Sequence, residues 1–158
     1  MGSSFGRGRD DRDRLYLSNG GTDVFLDVLA LAACELARSG FERSFALLLC
    51  NSRIGMGNDD FDLDELPWSA EFIAERGFLL RVIELAASGF RWGMLSYDPP
   101  YAEAHLRQYG EVVRGYTPPG EAVEVARMWD EHPAESAFER CGRHGLFVGD
   151  YRDCRLCA

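Results

Sequence analysis

Apolar residues recur at helical spacing in five stretches of the chain, separated by short runs rich in glycine, serine and proline. Thr22 or Asp23 can cap a first helix running to about residue 38, with Ser39-Gly40 as its stop. Val24, Phe25, Val28, Leu29, Leu31, Ala32 and Leu36 cover more than one stripe of it, so it is expected to be buried on most sides. Phe41, Phe45, Leu48 and Leu49 fall at i, i+4, i+7 and i+8, which favours a second helix, although residues 45–50 also suit a buried strand. A third helix is expected from Pro67, tolerated in a first turn, with Trp68, Phe72, Leu79, Ile83 and Ala86 on one face and Ser88-Gly89 at its end. Asp98-Pro99-Pro100 forms a turn. A fourth helix follows over about 101–116, presenting Leu106, Tyr109, Val112 and Val113. After Thr117-Pro118-Pro119-Gly120, a fifth is expected over about 121–131, with Val125, Met128 and Trp129 inward and Pro133 beyond it.

The fold class that follows is mainly α, a helical bundle of about five helices with a small C-terminal zinc-knuckle β-hairpin. Three parts are expected: a flexible N-terminal lead-in over 1–18, an acidic helical domain over 19–139, and the zinc knuckle over 140–158. At 158 residues and 46% hydrophobic content the chain suffices for one core. No run of eighteen apolar residues marks a membrane span, and the polar first eighteen residues lack the apolar stretch of a signal peptide.

The last eighteen residues carry the sharpest motif. Cys141-Gly-Arg-His144 is followed after nine residues by Cys154-Arg-Leu-Cys157. Two residues between paired ligands let a tight turn aim both at one ion, and two such turns facing each other close a tetrahedron. Cys141, His144, Cys154 and Cys157 are therefore read as ligands of a structural Zn2+, with residues 145–153 as a hairpin joining the halves. Three cysteines gathered with a histidine suit a reducing compartment, and the expected localisation is cytoplasmic. Cys34 and Cys50 fall on the apolar helices and are expected to be packed.

Charge narrows the partner. All seventeen basic residues are arginine. Residues 16–139 hold nine of them against twenty-one carboxylates, so the body is acidic while the tail is slightly basic. Such a body repels nucleic acid and attracts a basic protein. The acidic loop over 54–66 sharpens this: Asp59, Asp60, Phe61, Asp62, Asp64, Glu65 and Trp68 combine carboxylates with aromatic anchors, a mixture suited to partner binding. The alternative is that its apolar members dock the loop on the core. Asp60, Asp62, Asp64 and Glu71 match part of a calcium-loop pattern, but Glu65 stands where that loop needs glycine.

Motifs for nucleophile elbows, phosphate loops, dinucleotide binding and zinc-protease helices are absent, and His105 and His132 are the histidines outside the zinc set. No enzymatic activity is therefore expected. The FDLDELPW segment, the helix and RWGMLSYDPP sequel after it, and the terminal CGRHGLFVGDYRDCRLC together resemble a loosely defined set of small bacterial proteins with no established activity. That resemblance implies a free-standing small protein. The expectation is a non-enzymatic binding protein, most concretely an acidic immunity (antitoxin-like) protein that neutralises a basic toxin or nuclease. One alternative is nucleic-acid or regulatory binding through Arg143, Arg152 and Arg155 with Phe147 or Tyr151. The other is an enzyme whose site is not visible as a motif.

Overall fold

The computed structural model describes residues 2–8, 12–53, 60–121 and 123–157. Four α-helices build the body: α1 (Asn19–Leu36), α2 (Gly40–Asn51), α3 (Phe72–Ala87) and α4 (Ala102–Arg114). The chain is mainly helical, as the apolar periodicity predicts. Among the described residues, no helix is long and apolar enough to cross a membrane.

Helix α1 is the hub and packs on α2, α3 and α4. It starts before the expected cap because the Ser18 hydroxyl accepts the Gly21 amide, 3.1 Å away. From Phe25 to Cys34 every residue is buried, including the carboxylate-bearing Asp27. Helix α2 resolves the helix-or-strand ambiguity through a capping box: Ser39 accepts the Glu42 amide, and the Glu42 carboxylate accepts the Ser39 amide. Helix α3 begins at Phe72 and not at Pro67. The preceding residues are held off the helix by a 3₁₀ turn over Leu63–Glu65 and by the Trp68 indole, which donates to the Leu63 carbonyl at 2.7 Å.

Three expectations need correction. The first eighteen residues are not simply a flexible lead-in, because Gly2–Phe5 (β1) pairs antiparallel with Leu15–Ser18 (β2), Phe5 opposite Leu15. The alternation places Phe5, Leu15 and Leu17 inward and Tyr16 outward. Phe5 packs against Phe25 and Phe61 with ring centroids 4.9 and 5.5 Å apart. The fifth helix does not form over the described residues 123–131. Instead the Ala126 amide donates to the Glu65 carbonyl at 2.7 Å, and Ala126 and the half-buried Trp129 settle on the body. The β-branched Val123 and Val125 weaken an already short helix, and the tertiary hydrogen bond from Ala126 competes with its ladder. The hairpin over 145–153 is likewise replaced. The antiparallel contact is a single bridge between Arg140 and Phe147, flanking the first ligand turn.

Candidate metal centre

The Arg140–Phe147 bridge explains how the first ligand pair is presented. The Cys141 amide donates to the Leu146 carbonyl and the Gly145 amide to the Cys141 carbonyl, both at 2.8 Å, so the chain reverses tightly across residues 141–145. Gly145 closes this turn at φ 75°, where a side chain is strained. The second pair sits in another turn, closed by the Cys157 amide on the Cys154 carbonyl at 3.0 Å.

These turns bring three sulfurs and one ring nitrogen together, with all four ligand atoms within 4.8 Å of one another. His144 Nδ1 lies 3.6 Å from Cys141 Sγ, 3.5 Å from Cys154 Sγ and 3.4 Å from Cys157 Sγ. Cys141 and Cys157 sulfurs are 3.6 Å apart. The set could hold one metal ion.

The three thiols of the set are pushed in different directions. Burial works against the Cys141 thiolate, but the backbone amides of His144 and Arg143, with the His144 and Cys157 side chains, outweigh it and bring the thiol down to about 6. Burial pushes Cys154 up to about 12, and the nearby Cys141 adds to the rise. Cys157 is raised chiefly by its hydrogen bond with Cys141. A divalent ion held by the set would let all three sulfurs shed their protons.

The segment is no separate appendage. Leu146, Phe147 and Cys154 belong to the same buried cluster as the four helices. Gly149 lies against α2, where a Cβ would come within 2.2 Å of the Asn51 carboxamide oxygen. That oxygen accepts the Asp150 amide at 3.0 Å, while the Asn51 amide group donates to the Asp150 carboxylate at 3.2 Å. Arg53 donates to the Asp153 carbonyl and lies over the Tyr151 ring. Comparison with protein-family models, curated proteins and solved structures finds no match to this chain. The site is therefore read from its own chemistry.

Arg155, between the last two cysteines, makes the deepest anchor. Its Nε donates to Asp27 Oδ1 at 2.7 Å, and its Nη1 to the Leu49 and Ser52 carbonyls at 2.8 and 2.6 Å. The second Asp27 oxygen accepts the Tyr97 hydroxyl at 2.6 Å. Burial first, then this bond, raises the Tyr97 phenol and keeps it a donor. These contacts remove Arg155 from the cations offered to nucleic acid, and Phe147 is buried too. Arg143 and Arg152 remain exposed. Sequence spacing carries no sign of the Arg155–Asp27 pair; a single carboxylate inside the otherwise apolar run from Val24 to Cys34 was the available hint.

The residues expected to bind a partner are largely occupied within the fold. Asp59 lies outside the described residues. Asp60 is exposed and accepts the Ser4 amide at 2.9 Å. Phe61 is buried against Phe5 and Phe45. Asp62 pairs with Arg14 and Asp64 accepts the Tyr116 hydroxyl at 2.9 Å. Glu65 accepts the Asp62 amide, and its carboxyl is raised by burial first and by neighbouring Asp62, Asp60 and Glu124. Trp68 stacks between Phe41 and Tyr116. The loop is docked on the core, yet Asp62, Asp64, Glu65, Glu124 and Arg127 line an open cavity of about 530 Å³. His105 stacks near Tyr101 and is lowered by burial, while His132 is exposed.

Proposed function

We propose that the chain is a non-enzymatic binding protein whose carboxyl-terminal segment is fixed by one structural Zn2+. The observation that carries this is the spacing of the four ligand atoms. A tetrahedral zinc with ordinary bond lengths separates its sulfurs by about 3.8 Å and sulfur from nitrogen by about 3.6 Å. The sulfurs of Cys141 and Cys157 and the three distances to His144 Nδ1 fall at 3.4–3.6 Å. Thiolates with imidazole favour zinc over magnesium, calcium or manganese, which take oxygen ligands. Four protein donors leave a tetrahedral ion no place for water, which makes the role structural. Elemental analysis of untagged protein is expected to find one equivalent of zinc per chain. Replacement by cobalt(II) is expected to give the strong visible absorption of a tetrahedral thiolate site. Stoichiometric iron, or the absence of metal from protein purified without chelator, overturns the reading.

The partner we infer is a basic protein, the most concrete case being a toxin or nuclease neutralised by an immunity (antitoxin-like) protein. The net charge of −9 and the carboxylate-lined cavity beside the 60–65 loop support it. Asp62 and Asp64 also hold the fold, so the test uses exposed positions. A purified basic partner is expected to bind more weakly as salt rises, and D60N with E121Q and E124Q to weaken it about tenfold, mainly through slower association. Binding indifferent to both salt and these changes overturns this choice of partner.

A further inference from the structure

Two cysteines stand outside the metal set. Cys34 on α1 and Cys50 on α2 meet in the core with their sulfurs 3.6 Å apart, at 1% and 0% exposure. A disulfide places its sulfurs about 2.05 Å apart, so the two have to close by only about 1.5 Å. The helices that carry them adjoin in sequence and pack together, so closure moves little chain. The segment that carries the four candidate ligands borders the pair. The Phe147 backbone amide lies close enough to favour the thiolate of either cysteine, and the Phe147 side chain is buried in the cluster that contains both.

We propose that Cys34 and Cys50 are an oxidisable dithiol, closed to an intramolecular disulfide by hydrogen peroxide once the metal-held segment beside them lifts. The gate rests on the zinc reading; the pairing of the two sulfurs does not. The sulfurs lie close enough for either to attack and the other to resolve, and attack by Cys34 is one of the two equivalent routes. Burial opposes a thiolate at Cys34, but the contact with Cys50, the Phe147 amide and the charge of Arg140 together lower it. Cys50 is raised by its contact with Cys34 and by burial. The Cys34 thiolate attacks one peroxide oxygen, the O–O bond breaks, and the departing hydroxide takes a proton to leave as water. The Cys50 sulfur then attacks the sulfenic sulfur of Cys34, displacing the second water. Two thiols lose two electrons to one peroxide, giving one disulfide and two waters.

The test begins by measuring the metal content of the full chain. Samples with and without a zinc chelator are exposed to hydrogen peroxide, trapped by alkylation in denaturant, and mapped by mass spectrometry. The expected result is a Cys34–Cys50 crosslink forming about tenfold faster in the chelated sample, as a buried site opened by local undocking behaves. The crosslink is expected to vanish in Cys34→Ala. Recovery of Cys34 and Cys50 as alkylated residues, or crosslinks confined to Cys141, Cys154 and Cys157, overturns the dithiol. Equal rates in the two samples overturn the gate. Protein without metal at the start overturns the zinc reading, while the Cys34–Cys50 link is still scored on its own peptides.

Discussion

Cys154→Ser is expected to lose the metal and lower the free energy of unfolding by about 3–6 kcal/mol. The range follows from what the two cysteine turns keep in place. Leu146 and Phe147 are buried between the two ligand pairs. Returning two such side chains to water costs about 1.5–3 kcal/mol each. Cys154 is itself buried, so part of its effect would come from packing alone. Cys157 supplies the control, because it is exposed and its sulfur meets the other members of the cluster, Cys141 and His144. Serine at an exposed position is ordinarily close to neutral. Cys157→Ser is nevertheless expected to lower both the zinc stoichiometry and the urea midpoint, in step with Cys154→Ser. Urea unfolding with parallel elemental analysis checks both variants. A Cys157→Ser protein that keeps the wild-type midpoint after losing its metal would show that the ion contributes nothing to the fold.

The clustering of Cys141, His144, Cys154 and Cys157 was legible because its information is local. Two residues between partners specify a turn, and soft donors specify an ion, whatever the rest of the chain does. The helices were legible for a related reason: a period near 3.6 survives in α1 to α4 irrespective of their final neighbours. What escaped depended on contacts distant in sequence. Phe5 earns its place from Phe25, Phe61 and Tyr109, none of which a four-residue strand can announce. The 121–131 segment carries a helix-like apolar pattern, but a hydrogen bond to Glu65 sixty-one residues earlier competes with its ladder. The acidic loop read equally well as an interface or as a docked segment. Arg14, just before β2, and Tyr116, just after α4, tie Asp62 and Asp64 to the body.

The deepest of these long-range contacts leads to the second large effect: Arg155→Ala is expected to destabilise the protein by about 3–5 kcal/mol while leaving the ligand set complete. The Arg155 side chain is 4% exposed, and the Asp27 side chain 11%. Removing the guanidinium leaves a buried carboxylate whose remaining hydrogen bond in this network is the Tyr97 hydroxyl. Breaking a buried pair from one side costs about 3–5 kcal/mol, because the surviving charge is left uncompensated. The loss extends further, since Leu49 and Ser52 at the end of α2 give up the donor that satisfies their terminal carbonyls. Lysine would restore charge but not the planar fork that reaches three acceptors in different directions, so Arg155→Lys should recover only part of the stability. Asp27→Ala alone is expected to be costly as well, with the double variant less destabilised than the two single losses summed. Metal readouts separate this anchor from ligation. Arg155→Ala should still bind one equivalent of zinc, but surrender it faster to a chelator, because the turn from Cys154 to Cys157 is no longer tied to α1 and α2. Additive single and double variants, or unchanged metal release, would mean that the guanidinium only fills space.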